Sequence, residues 1–436
     1  MKKFVPLAFL IFTLACDTER NIPSTKEFFV KFYGGEGNQT GIDFVLTPDD
    51  HLVMVGNSVR VGKTQMIYVV KVTLDGDVVW ENYIGDGTKN NTVKDVELHP
   101  DGRVVIAGET EMAHGNRDIF VKTLSQDGNE LDSIRYGLNR LRTGDEEVFS
   151  ISIITAGTTF PAGYIVAGST TDVVAPVPPP SDSKDGMHIR FTDNPLAVLT
   201  DPVWNKSTGL NNSEDVVVKV FRVAANELYG FGYTNTISPS LATDFKYWIF
   251  KTPDNGSAAS NSDALYDLLG ATNEDEKLTT AILVDSPVLS EQGFVLGGVA
   301  TKANGNSQAY LVKLKANLQF LPGDISWQGY PISMGSNANQ QVRVFYNRDS
   351  ETYFAVATNK SGQAEGEISL TKLSQDLTPV WTVPLSFGGN AQDEAGSVIG
   401  LPSGKILVLG TMKLGGLNGQ QKMALLKLNA NGILSN

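Results

Sequence analysis

Short apolar runs alternate with polar breaks along this chain, and they recur in a fixed order. One run opens each unit: IDFVLT from Ile42, VKDVEL from Val93, VFSISI from Val148, DVVVKVF from Asp215, LTTAILV from Leu278, QVRVFY from Gln341 and AGSVIGL from Ala395. A second closes on a small residue, at Gly56, Gly108, Gly168, Gly232, Gly298, Ala357 and Gly410. Turn signals such as Pro100-Asp101-Gly102 and Pro402-Ser403-Gly404 separate the two, so they read as hairpins. A third run ends in a basic residue, successively Lys71, Lys122, Arg190, Lys251, Lys313, Lys372 and Lys427. A fourth follows a turn such as Asp75-Gly76 and often carries Trp: Trp80, Trp204, Trp327 and Trp381. Runs this short, rich in Val, Ile, Phe and Tyr, predict strands, and no sustained 3.6-residue periodicity competes with them.

The basic residues are spaced 51 to 68 positions apart. Four strands in a unit of that length is the signature of a propeller blade, so the fold class predicted is an all-β, seven-bladed β-propeller. The two ends complement each other. Too little chain follows Leu428 for a fourth strand, whereas Phe28 to Tyr33 precedes the first unit as a strand without a sheet. The economical arrangement has it supply the outer strand of the seventh blade, which also removes exposed sheet edges. Blade boundaries then fall near 34, 85, 137, 209, 270, 335 and 388. The pattern K-x-x-x-D-G-x-x-x-W, clearest from Lys71 to Trp80, resembles the propeller repeats of exported bacterial proteins, a loose group including PQQ-like and SBBP-type repeats. That resemblance implies the architecture and little about activity, because propellers host unrelated functions.

The first segment sets the expected address. Lys2 and Lys3, a greasy stretch to Phe12 and Thr13-Leu14-Ala15 ahead of Cys16 read as an export signal too short to span a membrane. Thr-Leu-Ala-Cys resembles the lipobox of bacterial lipoproteins, although Thr13 stands where Leu is commonest; the resemblance implies acylation of Cys16 and cleavage before it. The alternative is an incidental thiol inside an ordinary signal. The domains expected are a signal over 1–15, a lipidated leash over 16–26 and one propeller over 27–436. Membrane contact is then through the lipid anchor alone, at an outer membrane or cell surface.

Composition narrows the chemistry. One Cys and four His exclude a disulfide framework and a Cys/His zinc cluster. A net charge of −13, or −15 without Lys2 and Lys3, argues against nucleic acid as a partner. No G-x-S-x-G elbow, P-loop or dinucleotide fingerprint occurs. The basic residues and tryptophans read as structural features of the repeat, the former laying their stems over neighbours and the latter filling seams.

Acids concentrate where each outer strand returns to the next inner strand, on one face of a propeller: Glu36, Asp86, Asp145, Glu146, Glu214, Asp215, Glu274, Asp275, Asp393 and Glu394. They form the candidate binding surface for a protein or glycan. No cofactor is expected; an acidic surface of this kind attracts a divalent cation such as calcium, or a basic partner. Turns also select acids merely to satisfy backbone amides. Pro178 to Pro180 make the longest excursion either a polyproline II grip or a solvated insertion. The function expected is a non-catalytic binding or scaffold propeller. Its rivals are a polysaccharide-acting enzyme and an outer-membrane assembly scaffold, whose family has eight blades.

Overall fold

The computed structural model describes residues 27–435 except 113–114, 138–143, 157–160, 172–183, 194–201, 209–212, 225, 236–243, 257–263, 267–273, 289–290, 316–326, 333, 335–338, 361–365, 390 and 416–418. No α-helix forms among the described residues. The strands make seven antiparallel sheets, each with four strands along its path. Blade 1 begins at Asn38–Gln39 and Asp43–Leu46, both paired with His51–Val59, and continues through Gln65–Thr73 and Val78–Ile84. The inner strands of blades 2 to 7 are Asn91–Leu98, Glu146–Ile154, Asp215–Ala224, Asp275–Val284, Asn339–Asn347 and Glu394–Gly400.

Ring closure follows the sequence expectation. Phe29–Tyr33 runs antiparallel to Gln420–Leu428, with Phe29 opposite Lys427 and Tyr33 opposite Met423. It also grips blade 1: Tyr33 Oη donates to Gly76 O at 2.9 Å and Lys31 Nζ to Asp75 O at 2.7 Å.

The core is divided among the seams. Val53, Val55, Val69, Val93, Ile106 and Phe120 join blades 1 and 2, and comparable clusters fill the other junctions. Because neighbouring blades cover both faces of the middle strands, those strands read as near-continuous apolar runs. At about 1.5–3 kcal/mol for each large apolar side chain removed from water, the seams outweigh exposed ion pairs worth about 0–1 kcal/mol.

Each inner strand carries one extra residue. Pairing with the second strand skips Lys94, Phe149, Val218, Thr279, Gln341 and Gly396 in blades 2 to 7. In blade 1 the surplus falls between Gln39 and Asp43. These β-bulges explain why the second strand closes on a small residue. An added Cβ at Gly108 would stand 2.0 Å from Thr92 O, at Gly168 2.0 Å from Glu147 O, and at Gly232 1.9 Å from Val216 O. In blade 2 the skip follows the residue paired with Gly108; in blade 6 it precedes the residue paired with Ala357, where a methyl is accommodated.

Candidate functional site in the central tunnel

The bulges set the face that each inner strand turns to the tunnel. Just past them, seven residues occupy one level: Asp43 opposite Val55, Asp95 opposite Ala107, Ser150 opposite Ala167, Lys219 opposite Phe231, Thr280 opposite Gly297, Arg343 opposite Val356 and Ser397 opposite Leu409. All seven are polar, and all line one cavity of about 280 Å³. Two residues further along, Val45, Phe221, Ile282, Phe345 and Ile399 form an apolar floor interrupted by Glu97.

Buried charge is tolerated only when partnered, and most of this ring is. Lys219 Nζ donates to Glu97 Oε1 at 2.8 Å and to Ile151 O at 2.6 Å, with Asp95 Oδ2 at 3.3 Å. Asp95 Oδ2 also accepts the Ile151 amide at 2.8 Å. Burial pushes the Asp43 carboxyl up to about 7, Arg343 opposing the shift and Asp95 adding to it. Burial alone would raise Asp95, but Lys219 and Arg343 hold it below the usual carboxylate range. Of these two coupled carboxyls, contributed by blades 1 and 2, Asp43 therefore keeps its proton to the higher pH. Arg343 differs from the rest: its one ionic contact among the described residues is Asp43 Oδ2 at 3.6 Å, beyond hydrogen-bond reach.

On the bulge side of the ring lies a second chamber of about 300 Å³. The bulge residues Lys94, Phe149, Thr279, Gln341 and Gly396 rim it, joined by Ile42. Arg343, Phe149 and Thr279 line both chambers. Bulges commonly re-aim side chains at functional sites, and here they supply five of the thirteen residues that line the chamber. Gln341 is exposed and held at φ 51°, a left-handed conformation unusual for a residue with a Cβ.

The acids singled out from sequence lie around this mouth without converging. Glu36 and Asp86 are exposed, and Asp86 Oδ1 accepts the Thr88 amide at 2.8 Å within its own turn. Asp145 and Asp275 each accept a backbone amide from the preceding blade, Arg117 N at 2.8 Å and Phe245 N at 3.1 Å. Asp393 takes Lys413 N and Gly389 N, both at 2.8 Å. Glu146, Asp215 and Asp393 are buried, on a level shared with Gln39, Asn91, Glu276 and Asn339. Glu214, Glu274 and Glu394 are half-buried, Glu394 accepting from Gln392 Nε2 at 2.7 Å. Among the described residues no three His, Cys, Asp or Glu side chains gather as a metal-holding group. Cys16 and Pro178 to Pro180 lie outside the described residues.

The basic residues of the third strands reach toward the turn of the next blade. Lys427 Nζ donates to Leu74 O at 2.7 Å, Lys313 Nζ to Gln375 O at 2.9 Å, Lys71 Nζ to Gln126 O at 3.4 Å, and Arg190 meets Asp254 at 3.2 Å. Lys122 and Lys251 pair instead with Glu130 and Glu227 of their own blades, and Lys372 lies over the Phe354 ring. Trp80 and Trp204 donate their indole N–H to the same turns, Gln126 O and Asp254 O, each at 2.9 Å. Trp381 stands beside Phe354 in the seam of blades 6 and 7, and Trp327 begins the outer strand of blade 5.

Sequence reasoning missed the tunnel ring. Asp43, Asp95, Ser150, Lys219, Thr280, Arg343 and Ser397 are each a polar position in an opening run, but Lys94, Glu97, Ser152, Thr279 and Gln341 are too, so polarity alone does not single out the ring.

The class defined by fold and site is a seven-bladed β-propeller with a polar, partly charged tunnel. A family profile described as "Domain of unknown function (DUF5122) beta-propeller" matches residues 401–434, within the last blade. No curated protein matches this chain. Among solved structures it is similar to Drosophila Plexin A in complex with Semaphorin 1b, at 7% identity and TM-score 0.42, covering 92% of this chain and 86% of that one. It is also similar to an alpha-L-arabinanase of Penicillium chrysogenum complexed with arabinobiose, at 11% identity and TM-score 0.48, covering 78% and 93%. The WD40 domain of SCAP from fission yeast matches at 9% identity and TM-score 0.37, covering 92% and 94%. At these values none bears on what this chain binds.

Proposed function

We propose that this protein is a non-catalytic binding propeller that presents its top face to a protein or glycan and is held at an outer membrane or cell surface by a lipid on Cys16. The observation that carries the non-catalytic reading is the engagement of the tunnel carboxylates. Asp95 and Glu97 both lie against Lys219, and Asp95 also accepts the Ile151 amide. A glycosidase pair must be free to give a proton and to attack or activate water, so carboxylates already held by Lys219 and a backbone amide support recognition over hydrolysis. Seven blades also weigh against the eight-bladed assembly scaffold. The likeness of the units to PQQ-like and SBBP-type repeats, together with the lipobox-like leader, supports an exported setting.

Two experiments test the two halves. Incubated with a panel of extracellular polysaccharides, the purified protein should retain a subset without generating new reducing ends; sustained release of reducing ends would replace this reading with the enzymatic one. In cells fed labelled palmitate, the wild-type chain should take up label and partition with membranes. Cys16→Ser should do neither, and labelling of that variant would refute the anchor.

A further inference from the structure

We propose that the second tunnel chamber is a binding site for a carboxylate-bearing sugar, with Arg343 meeting the carboxylate and Gln341 the hydroxyls. The inference deepens the binding reading by naming a ligand class. The two fail separately, since a partner docked on the outer loops asks nothing of the tunnel.

Arg343 acts on the charges of Asp43 and Asp95, yet among the described residues its hydrogen-bond donors are unused. A guanidinium presents five N–H donors in a rigid fork suited to a carboxylate, yet among the described residues its one ionic contact is the 3.6 Å approach to Asp43. It lines both chambers, and its side chain is 28% exposed. Asp43 leaves those donors free, since at 3.6 Å it stands beyond hydrogen-bond reach of the guanidinium. The other charged groups of the chamber are already engaged: Lys94 lies 3.3 Å from Glu109, and Glu147 lies 3.2 Å from Lys184.

The neighbours favour a sugar over a bare anion. Gln341, next but one to Arg343 on the same strand, is exposed at the rim with a free amide among the described residues, and its left-handed backbone is an uncommon conformation to keep without a use. The half-buried Phe149 offers an apolar ring surface beside them. About 300 Å³ is the lower end of ligand-sized pockets and suits one ring. The chain's net charge of −13 would repel a multiply charged ligand more strongly than a singly charged one.

Titration calorimetry of the purified protein would use glucuronate and galacturonate as probes, with glucose, galactose and acetate as controls and tri-galacturonate to separate a free ring from a chain-borne one. The uronates should bind at least about tenfold tighter than the neutral sugars and acetate. Arg343→Gln should abolish that preference and Arg343→Lys retain part of it. Gln341→Gly should weaken uronate binding several-fold in a protein that melts no lower than wild type, which keeps the test valid should the Arg343 variants unfold. Tighter binding of tri-galacturonate would assign a polysaccharide source, and equal binding a free sugar. Silent titrations with both uronates, neutral sugars or acetate bound equally well, or unchanged affinity in Arg343→Gln would each overturn the proposal. Loss of uronate binding with retained polysaccharide would sink this inference alone.

Discussion

His188 sits wholly buried between the rings of Trp204 and Phe250, 5.5 and 5.3 Å away, and neither ring nitrogen has a hydrogen-bond partner among the described residues. Burial lowers its pKa to about 3, with the charge of Lys206 acting in the same direction. The unfolded chain takes up a proton near pH 6.5 that the folded one refuses until far lower, so the stability tied to His188 is present above that pH and drains away as pH falls, at up to about 1.4 kcal/mol per pH unit. Asp43 works in the opposite sense. Raised to about 7, it lends stability that is complete below the ordinary aspartate range and is lost as pH climbs toward neutrality. Between about pH 4 and 6.5 the two slopes oppose each other. Urea midpoints of His188→Leu across that range should therefore fall with rising pH more steeply than those of wild type, whereas Asp43→Asn should show the reverse tilt. Identical tilts in all three proteins would disprove both assignments. At neutral pH His188→Leu should also be the more stable protein by about 1–3 kcal/mol, because two buried nitrogens without partners are removed.

Within the blade, the bulge joins a local backbone irregularity to the side chains of the mouth. Gly108→Ala drives a Cβ to 2.0 Å from Thr92 O and 2.6 Å from the Phe120 ring, so destabilisation of about 1–3 kcal/mol is expected. The reciprocal Ala357→Gly should cost less than about 1 kcal/mol, because it adds backbone freedom without relieving a clash. Denaturation midpoints of the pair check this asymmetry; equal losses would mean that the bulge does not select the glycine. The same geometry explains which parts could be read from sequence. Blade number, the small residue closing each second strand and the borrowed outer strand were legible because each is written into the repeat or into its missing ends. The tunnel ring was not. Side-chain faces alternate with a period of two, an inserted residue reverses that parity, and nothing in VKDVEL or QVRVFY marks Lys94 or Gln341 as the surplus. The acids of the junctions were legible as turn residues, and several turn inward to hold backbone amides, as Asp145 and Asp393 do.

For the molecule as a whole, stability depends on a seam made from opposite ends of the chain. A protein beginning after Tyr33 would leave Gln420–Leu428 as a bare edge and strip blade 1 of the contacts to Gly76 and Asp75. Such a variant should melt lower and run as oligomers on gel filtration, since open edges pair with one another. A peptide spanning residues 27–34, supplied in trans, should restore the monomer, and a truncated chain that stays monomeric with an unchanged melt would contradict the role of this seam. The arrangement also bears on biosynthesis. The strand Phe29–Tyr33 is made ahead of the blades it closes and must wait, unpaired, until Gln420–Leu428 has left the ribosome. A product cut short by premature termination therefore has no way to seal itself, and its loose ends would mark it for proteolysis while full-length copies lock shut.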